Sequence, residues 1–149
     1  YLLAEFSGQS IDSFDSDIIK LRRLIRTEDV NGFMAQIQFV ISQIPFESKD
    51  VKLIEANFRN MIYLLIRSTG YKVYVEHPVL GGRLDVFFET EKSVYIIECK
   101  RDGSAQEALD QIDEKKYAKK ITSSDNHIVK IGVNFSTEER NITEWKMEE

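Results

Sequence analysis

An α/β domain with a mixed β-sheet, preceded by a helical extension, is the fold class this sequence predicts. Three observations carry the prediction: apolar residues recur at helical spacing up to Gly70, alternate as in strands from Tyr71 to Lys100, and then pass through one more helical segment before two closing strand-like segments. The order is helices, three strands, helix, two strands, and a helix lying between strands is the pattern of a sheet with helical cover. No internal repeat interrupts it.

Ile18, Leu21, Leu24 and Ile25 form one helical stripe, and Phe33, Ile37, Val40, Ile41 and Ile44 form a second. Thr27 is the expected N-cap between them, and Pro45 closes the pair. A third helix is expected from about 50 to 69, with Leu53, Ile54, Phe58, Met61, Ile62, Leu65 and Ile66 facing inward and Gly70 as its stop. Strands are expected over 71–76, 83–89 and 93–100, with His77-Pro78 and Gly81-Gly82 punctuating the first connection. The next helix, from about 104 to 120, opens on Glu107, Asp110, Asp113 and Glu114 and closes on Lys115, Lys116, Lys119 and Lys120, the polarity that the helix dipole favours. Strands over 128–135 and about 142–147 complete the chain. The expected domain organisation is a helical extension over 1–46 and one domain over 47–149.

Composition narrows the class of protein. A chain of 149 residues that is 42% hydrophobic and 30% charged has room for one domain with a full core, and none of it is low in complexity. The longest apolar run, Met61 to Ile66, is far shorter than the roughly 20 residues needed to cross a bilayer. No secretory signal is visible, and the single cysteine, Cys99, cannot form an internal disulfide; both fit a reducing cytoplasm. Because the chain opens on Tyr1 rather than Met, it is expected to be a piece of a longer protein. The net charge of −5 is spread, with 4 basic and 7 acidic side chains before Lys49 and 16 and 18 from there on. Neither part is a basic platform for nucleic acid, although local patches matter more than the sum.

The residues that carry chemistry lie in one hairpin. If the turn centred on Glu91-Lys92 is symmetric, Asp85 stands opposite Glu98, Arg83 opposite Lys100 and Phe87 opposite Ile96 on one face, while Leu84, Val86, Phe88, Tyr95, Ile97 and Cys99 share the other. Directly opposed residues have Cβ atoms about 4.5–5.5 Å apart, and like charges placed there destabilise a sheet. Two such carboxylates call for a cation. Mg²⁺ or Mn²⁺ accepts oxygen ligands and keeps several waters, so Asp85, Glu98 and the backbone carbonyl of Cys99 would suffice. Lys100, two residues beyond Glu98 and on its face, would orient a hydroxide and stabilise charge developing on a phosphoryl group. A lone Glu-x-Lys says little; the opposed Asp and the flanking helices are what sharpen it.

At these residues the sequence resembles the PD-(D/E)XK nuclease superfamily, and within it the bacterial family in which such a domain follows an AAA-ATPase-like domain. The likeness rests on Gly82-Arg83-Leu84-Asp85, Ile97-Glu98-Cys99-Lys100, Gly103-Ser104-Ala105 through Gln111-Ile112, and Ile131 through Ser136. It implies a restriction-endonuclease-like α-β-β-β-α-β core with a further strand, Asp85 and Glu98 as metal ligands, and Lys100 as the catalytic lysine. By the same resemblance, Glu55 would supplement the metal site, and Gln111 and Tyr117 would face a substrate, with Arg83 beside them. The proline of the motif's name is replaced by Leu84, a position that supplies no ligand. An ATPase-like region of the same full-length chain would precede the nuclease-like domain, and the helical extension could promote a homodimer.

The implied activity is metal-dependent hydrolysis of nucleic acid, DNA before RNA. The alternative is a catalytically silent nuclease-fold module that binds nucleic acid or protein, which the acidic balance favours. A third reading is an interaction domain whose helices over 14–44 meet a missing partner. His77 and His127, expected in a loop and a turn, lack an identifiable Ser or Cys partner; Cys99 reads as a small buried hydrophobe, Trp145 as filler, and the four lysines from Lys115 to Lys120 as a solvated helix end or a phosphate contact.

Overall fold

Helical spacing in the first seventy residues produces α1 (Ile11–Arg26), α2 (Val30–Ser42) and α3 (Val51–Ser68). The computed structural model describes residues 11–45, 49–79, 82–115 and 126–149, except for the side chains of 11, 12, 51, 77–79 and 82–84. Between Gly70 and Tyr71 the chain divides into two compact units.

In the first unit Leu21, Ile25, Phe33, Ile37, Val40, Ile54, Phe58, Ile62 and Leu65 are buried, as their periodicity requires. Two expectations are corrected here. Thr27 finishes α1 instead of starting α2: its hydroxyl donates to the carbonyls of Arg23 and Leu24, at 3.0 and 3.3 Å. Glu28 makes the turn in a left-handed conformation, φ 57°, so the cap falls on Asp29, whose carboxylate accepts the Gly32 N–H at 2.9 Å. Leu53 is exposed rather than inward, because it stands about 100° round the helix from Ile54, where the buried stripe begins. Asp50 caps α3 by accepting from the amides of Lys52 and Leu53, and Gly70 leaves the helix at φ 94°, a conformation that glycine adopts without strain.

The second unit is a five-stranded mixed sheet in the order β1-β2-β3-β4-β5, made of β1 (Val73–Val79), β2 (Gly82–Glu89), β3 (Ser93–Arg101), β4 (His127–Ser136) and β5 (Asn141–Glu148). β3 and β4 are parallel and the other neighbours antiparallel. The parallel pair needs a crossover, and α4 (Ala105–Glu114) lies in it. β1 continues through His77-Pro78, which the sequence marks as a break; it is an edge strand, where a missing ladder donor is tolerated. His127 likewise begins β4 instead of sitting in a turn. α4 ends sooner than expected, at Glu114 with Lys115 as C-cap. Tyr117, Lys116, Lys119 and Lys120 lie outside the described residues.

On one face of the sheet Phe87, Val94 and Ile96 pack with Leu109 and Ile112 of α4, joined by Tyr74 and Ile128. Val86, Phe88, Tyr95, Ile97, Ile131, Val133 and Phe135 are buried on the other, with the Phe88 and Tyr95 rings stacked 4.6 Å apart. The expected split of the hairpin is therefore present, except that α4 covers part of the face carrying the charges.

Gly132 sets how closely α4 lies on β4. A Cβ there would stand 2.2 Å from the Ala105 carbonyl oxygen and 2.9 Å from the Leu109 amide nitrogen, both backbone atoms that cannot turn aside. Gly132→Ala is expected to cost about 1–3 kcal/mol through overpacking. Urea unfolding would show a lower midpoint at unchanged slope; a midpoint equal to that of the wild type would disprove the close-packing argument.

Candidate active site

The turn between β2 and β3 fixes everything downstream of it. Thr90 accepts the Lys92 and Ser93 amides on its hydroxyl, at 3.3 and 3.0 Å, and its own amide donates to the Ser93 carbonyl at 2.9 Å. The pairs that follow are Glu89 with Val94, Phe88 with Tyr95, Phe87 with Ile96 and Val86 with Ile97. This is the symmetric register, and one further step brings Asp85 across from Glu98.

At that step the ladder gives way to side chains. The Cys99 amide donates to Asp85 Oδ2 at 2.8 Å, and the Asp85 amide donates to Glu98 Oε2 at 3.4 Å. Each carboxylate is thus held by the strand opposite its own. From α4, Gln111 Nε2 donates to Glu98 Oε1 at 2.5 Å. These contacts aim both carboxylates without neutralising them, since amide donors carry no net charge.

Glu98 is 2% exposed, and its carboxyl is pushed up from 4.5 to about 8, first by burial and then by the charge of Asp85. The Asp85 amide, Lys115 and Lys100 act in the opposite direction. A divalent cation would answer the repulsion directly, so the donor set fits one. Among the described residues, no group of three or more His, Cys, Asp or Glu side chains could hold a metal. An ion at the Asp85–Glu98 pair would need further oxygen donors to complete its shell.

Lys100 is half-buried on the face of Glu98, two residues along β3 and level with Asn134 of β4. Cys99 stands between them, half-buried and paired with Val133. Glu55 is exposed on α3, in the first unit. Arg83 pairs through its backbone with Pro78, while its side chain, like Tyr117, lies outside the described residues. One residue was missed as an individual: Lys115, whose charge acts on Glu98 more strongly than that of Lys100. Its spacing of four from Gln111 was the available signal.

Residues 53–145 match the family model of the PD-(D/E)XK nuclease superfamily. The chain belongs to that superfamily. The match covers more than half the chain and takes in Asp85, Glu98 and Lys100. No curated protein and no solved structure gives a significant match. PD-(D/E)XK nucleases generally use divalent metals, and the mixed five-stranded sheet with its helices is consistent with their restriction-endonuclease-like fold.

The raised Glu98 carboxyl gives a signed pH dependence. Folding takes up a proton wherever the unfolded value of 4.5 and the folded value of about 8 bracket the pH, so the metal-free protein should lose stability as pH rises through that window. Melting temperatures measured in chelator from pH 5 to 8 should fall more steeply in wild type than in Glu98→Gln; equal slopes would refute the assignment. Affinity for Mg²⁺, read by calorimetry, should rise over the same window because binding releases that proton.

Proposed function

We propose that this chain is a metal-dependent nuclease domain that hydrolyses phosphodiester bonds in nucleic acid, DNA before RNA. The observation that carries the reading is the cross-held Asp85–Glu98 pair, one member buried, with Lys100 on the same face. Membership of the superfamily supports nucleic acid as the substrate.

In this reading Asp85, Glu98 and the Cys99 carbonyl hold Mg²⁺ or Mn²⁺. The ion, when bound, acidifies a water and offsets phosphate charge. The Asp85 and Cys99 amides fix the two carboxylates, and Gln111 holds the Glu98 rotamer. Lys100 places its ammonium where it orients the attacking water and meets negative charge developing on the phosphoryl oxygens. By the family resemblance, Arg83 and Tyr117 are assigned to the substrate strand. Residues 1–46 form the tail of a preceding ATPase-like region and 47–149 the nuclease-like domain, of a cytoplasmic protein able to pair as a homodimer. The net charge of −5 favours the second reading, a silent module that binds nucleic acid or protein.

Labelled single- and double-stranded DNA and RNA, incubated with Mn²⁺ or Mg²⁺, separate the two. Wild type should cleave, and Lys100→Ala should be slower by about 10²–10³-fold while melting normally. Cleavage by neither would leave the binding module, and equal cleavage by both would indicate a contaminant. In a second assay, Mg²⁺ should raise the melting temperature of wild type and leave Asp85→Asn unmoved; a shift of equal size in the variant would remove Asp85 from the ligand set.

A further inference from the structure

Beyond Lys100 the chain leaves β3 along a tightly bonded path. Arg101 is still paired with Phe135, and Asp102 then turns in a left-handed conformation, φ 50°. The Asp102 amide donates to the Phe135 carbonyl at 2.8 Å, and its carboxylate accepts from the amide and hydroxyl of Thr137. This turn brings Gly103 back beside Lys100: a Cβ at Gly103 would stand 3.7 Å from Lys100 Cβ and 2.5 Å from Glu107 Oε2. Gly103 therefore lies between the stem of the lysine and the first turn of α4.

Asn134 holds it there. Asn134 is level with Lys100 across the parallel pair, so the two side chains leave the same face of the sheet. It is 7% exposed, and both ends of its amide are used: Oδ1 accepts the Gly103 N–H and Nδ2 donates to the Thr143 hydroxyl, each at 2.9 Å. The Gly103 N–H requires an acceptor, which sets the direction of the amide, and Thr143 takes the other end. A lysine carries about 2 kcal/mol of rotamer entropy. With Asn134 beside it and Gly103 ahead, the Lys100 stem is bounded on two sides, and less of that freedom is left to lose when the ammonium meets its target.

Resting on the nuclease reading, we propose that Asn134 is a positioning residue: by holding Gly103 against the Lys100 stem, it pre-orients the lysine for the attacking water. The competing role is structural, in which Asn134 ties the crossover to β5 and contributes to stability alone.

Asn134→Ala distinguishes the two, with Thr143→Val as a milder change at an exposed residue and Thr143→Ser as its conservative control. For cleavage of a short DNA duplex with Mg²⁺, Asn134→Ala should lower kcat by about tenfold with KM unchanged. Thr143→Val should act in the same direction by less, and Thr143→Ser should match wild type. In a Lys100→Ala background Asn134→Ala should cost nothing more, because no ammonium is left to place. An equal loss in both backgrounds, or a normal kcat in Asn134→Ala, would overturn the proposal in favour of the structural role. Carbon-13 relaxation of the lysine side chains supplies a readout without cleavage: Asn134→Ala should loosen Lys100 and leave Lys130, ion-paired with Asp113, as it was. If wild type does not cut, the nuclease reading falls, and an unchanged Lys100 mobility in Asn134→Ala would then remove the positioning role as well.

Discussion

Two carboxylates share the place where β2 and β3 stop pairing, and accommodating that like-charge pair shapes the region around it. In a regular ladder the Asp85 and Cys99 amides would meet backbone carbonyls; here they meet the carboxylates of Glu98 and Asp85. Burial of Glu98 and the charge of Asp85 both oppose ionisation, so the arrangement does not serve stability. Apolar residues at 85 and 98 would continue the cluster of Phe87 and Ile96 without that cost. Perturbed carboxylates of this kind gather at functional sites.

The position of α4 completes the site, and several separate contacts hold it. Ser104 caps the helix by accepting the Glu107 amide at 3.1 Å, and the Glu144 carboxylate from β5 accepts the Ala105 amide at the same distance, where the positive end of the helix dipole favours an anion. Asn134 accepts the Gly103 amide and donates to the Thr143 hydroxyl, both at 2.9 Å, tying the entry of the crossover to the last two strands. Asp102 accepts the amide and hydroxyl of Thr137, contacts that hold its carboxyl below the usual range. The missing side chain of Gly132, level with Glu98 across the parallel pair, lets the helix come down on β4. Gln111 reaches Glu98 because of that approach, and Lys115 follows one turn on.

Much of the site was legible because its information is local. Strand periodicity places Asp85, Glu98 and Lys100 on one face, and a symmetric four-residue turn sets which residues meet; both are properties of one hairpin, and the structure keeps them. Errors in the fold came where a local signal had two outcomes. Thr27 can end a helix as readily as begin one, and the left-handed Glu28 decided it. His77-Pro78 breaks a central strand but is tolerated at an edge, and strand order is not a local property.

Alternation, turn chemistry and helix periodicity by themselves determined the element order, the hairpin register and the juxtaposition of the two carboxylates. Only the tertiary structure decided that Glu98 would be buried and that Gln111 would be its hydrogen-bond partner. Burial and charge coupling depend on how far α4, whose Gln111 lies 13 residues beyond Glu98, settles onto the sheet. That distance is set by packing at Gly132, which no periodicity in the sequence encodes.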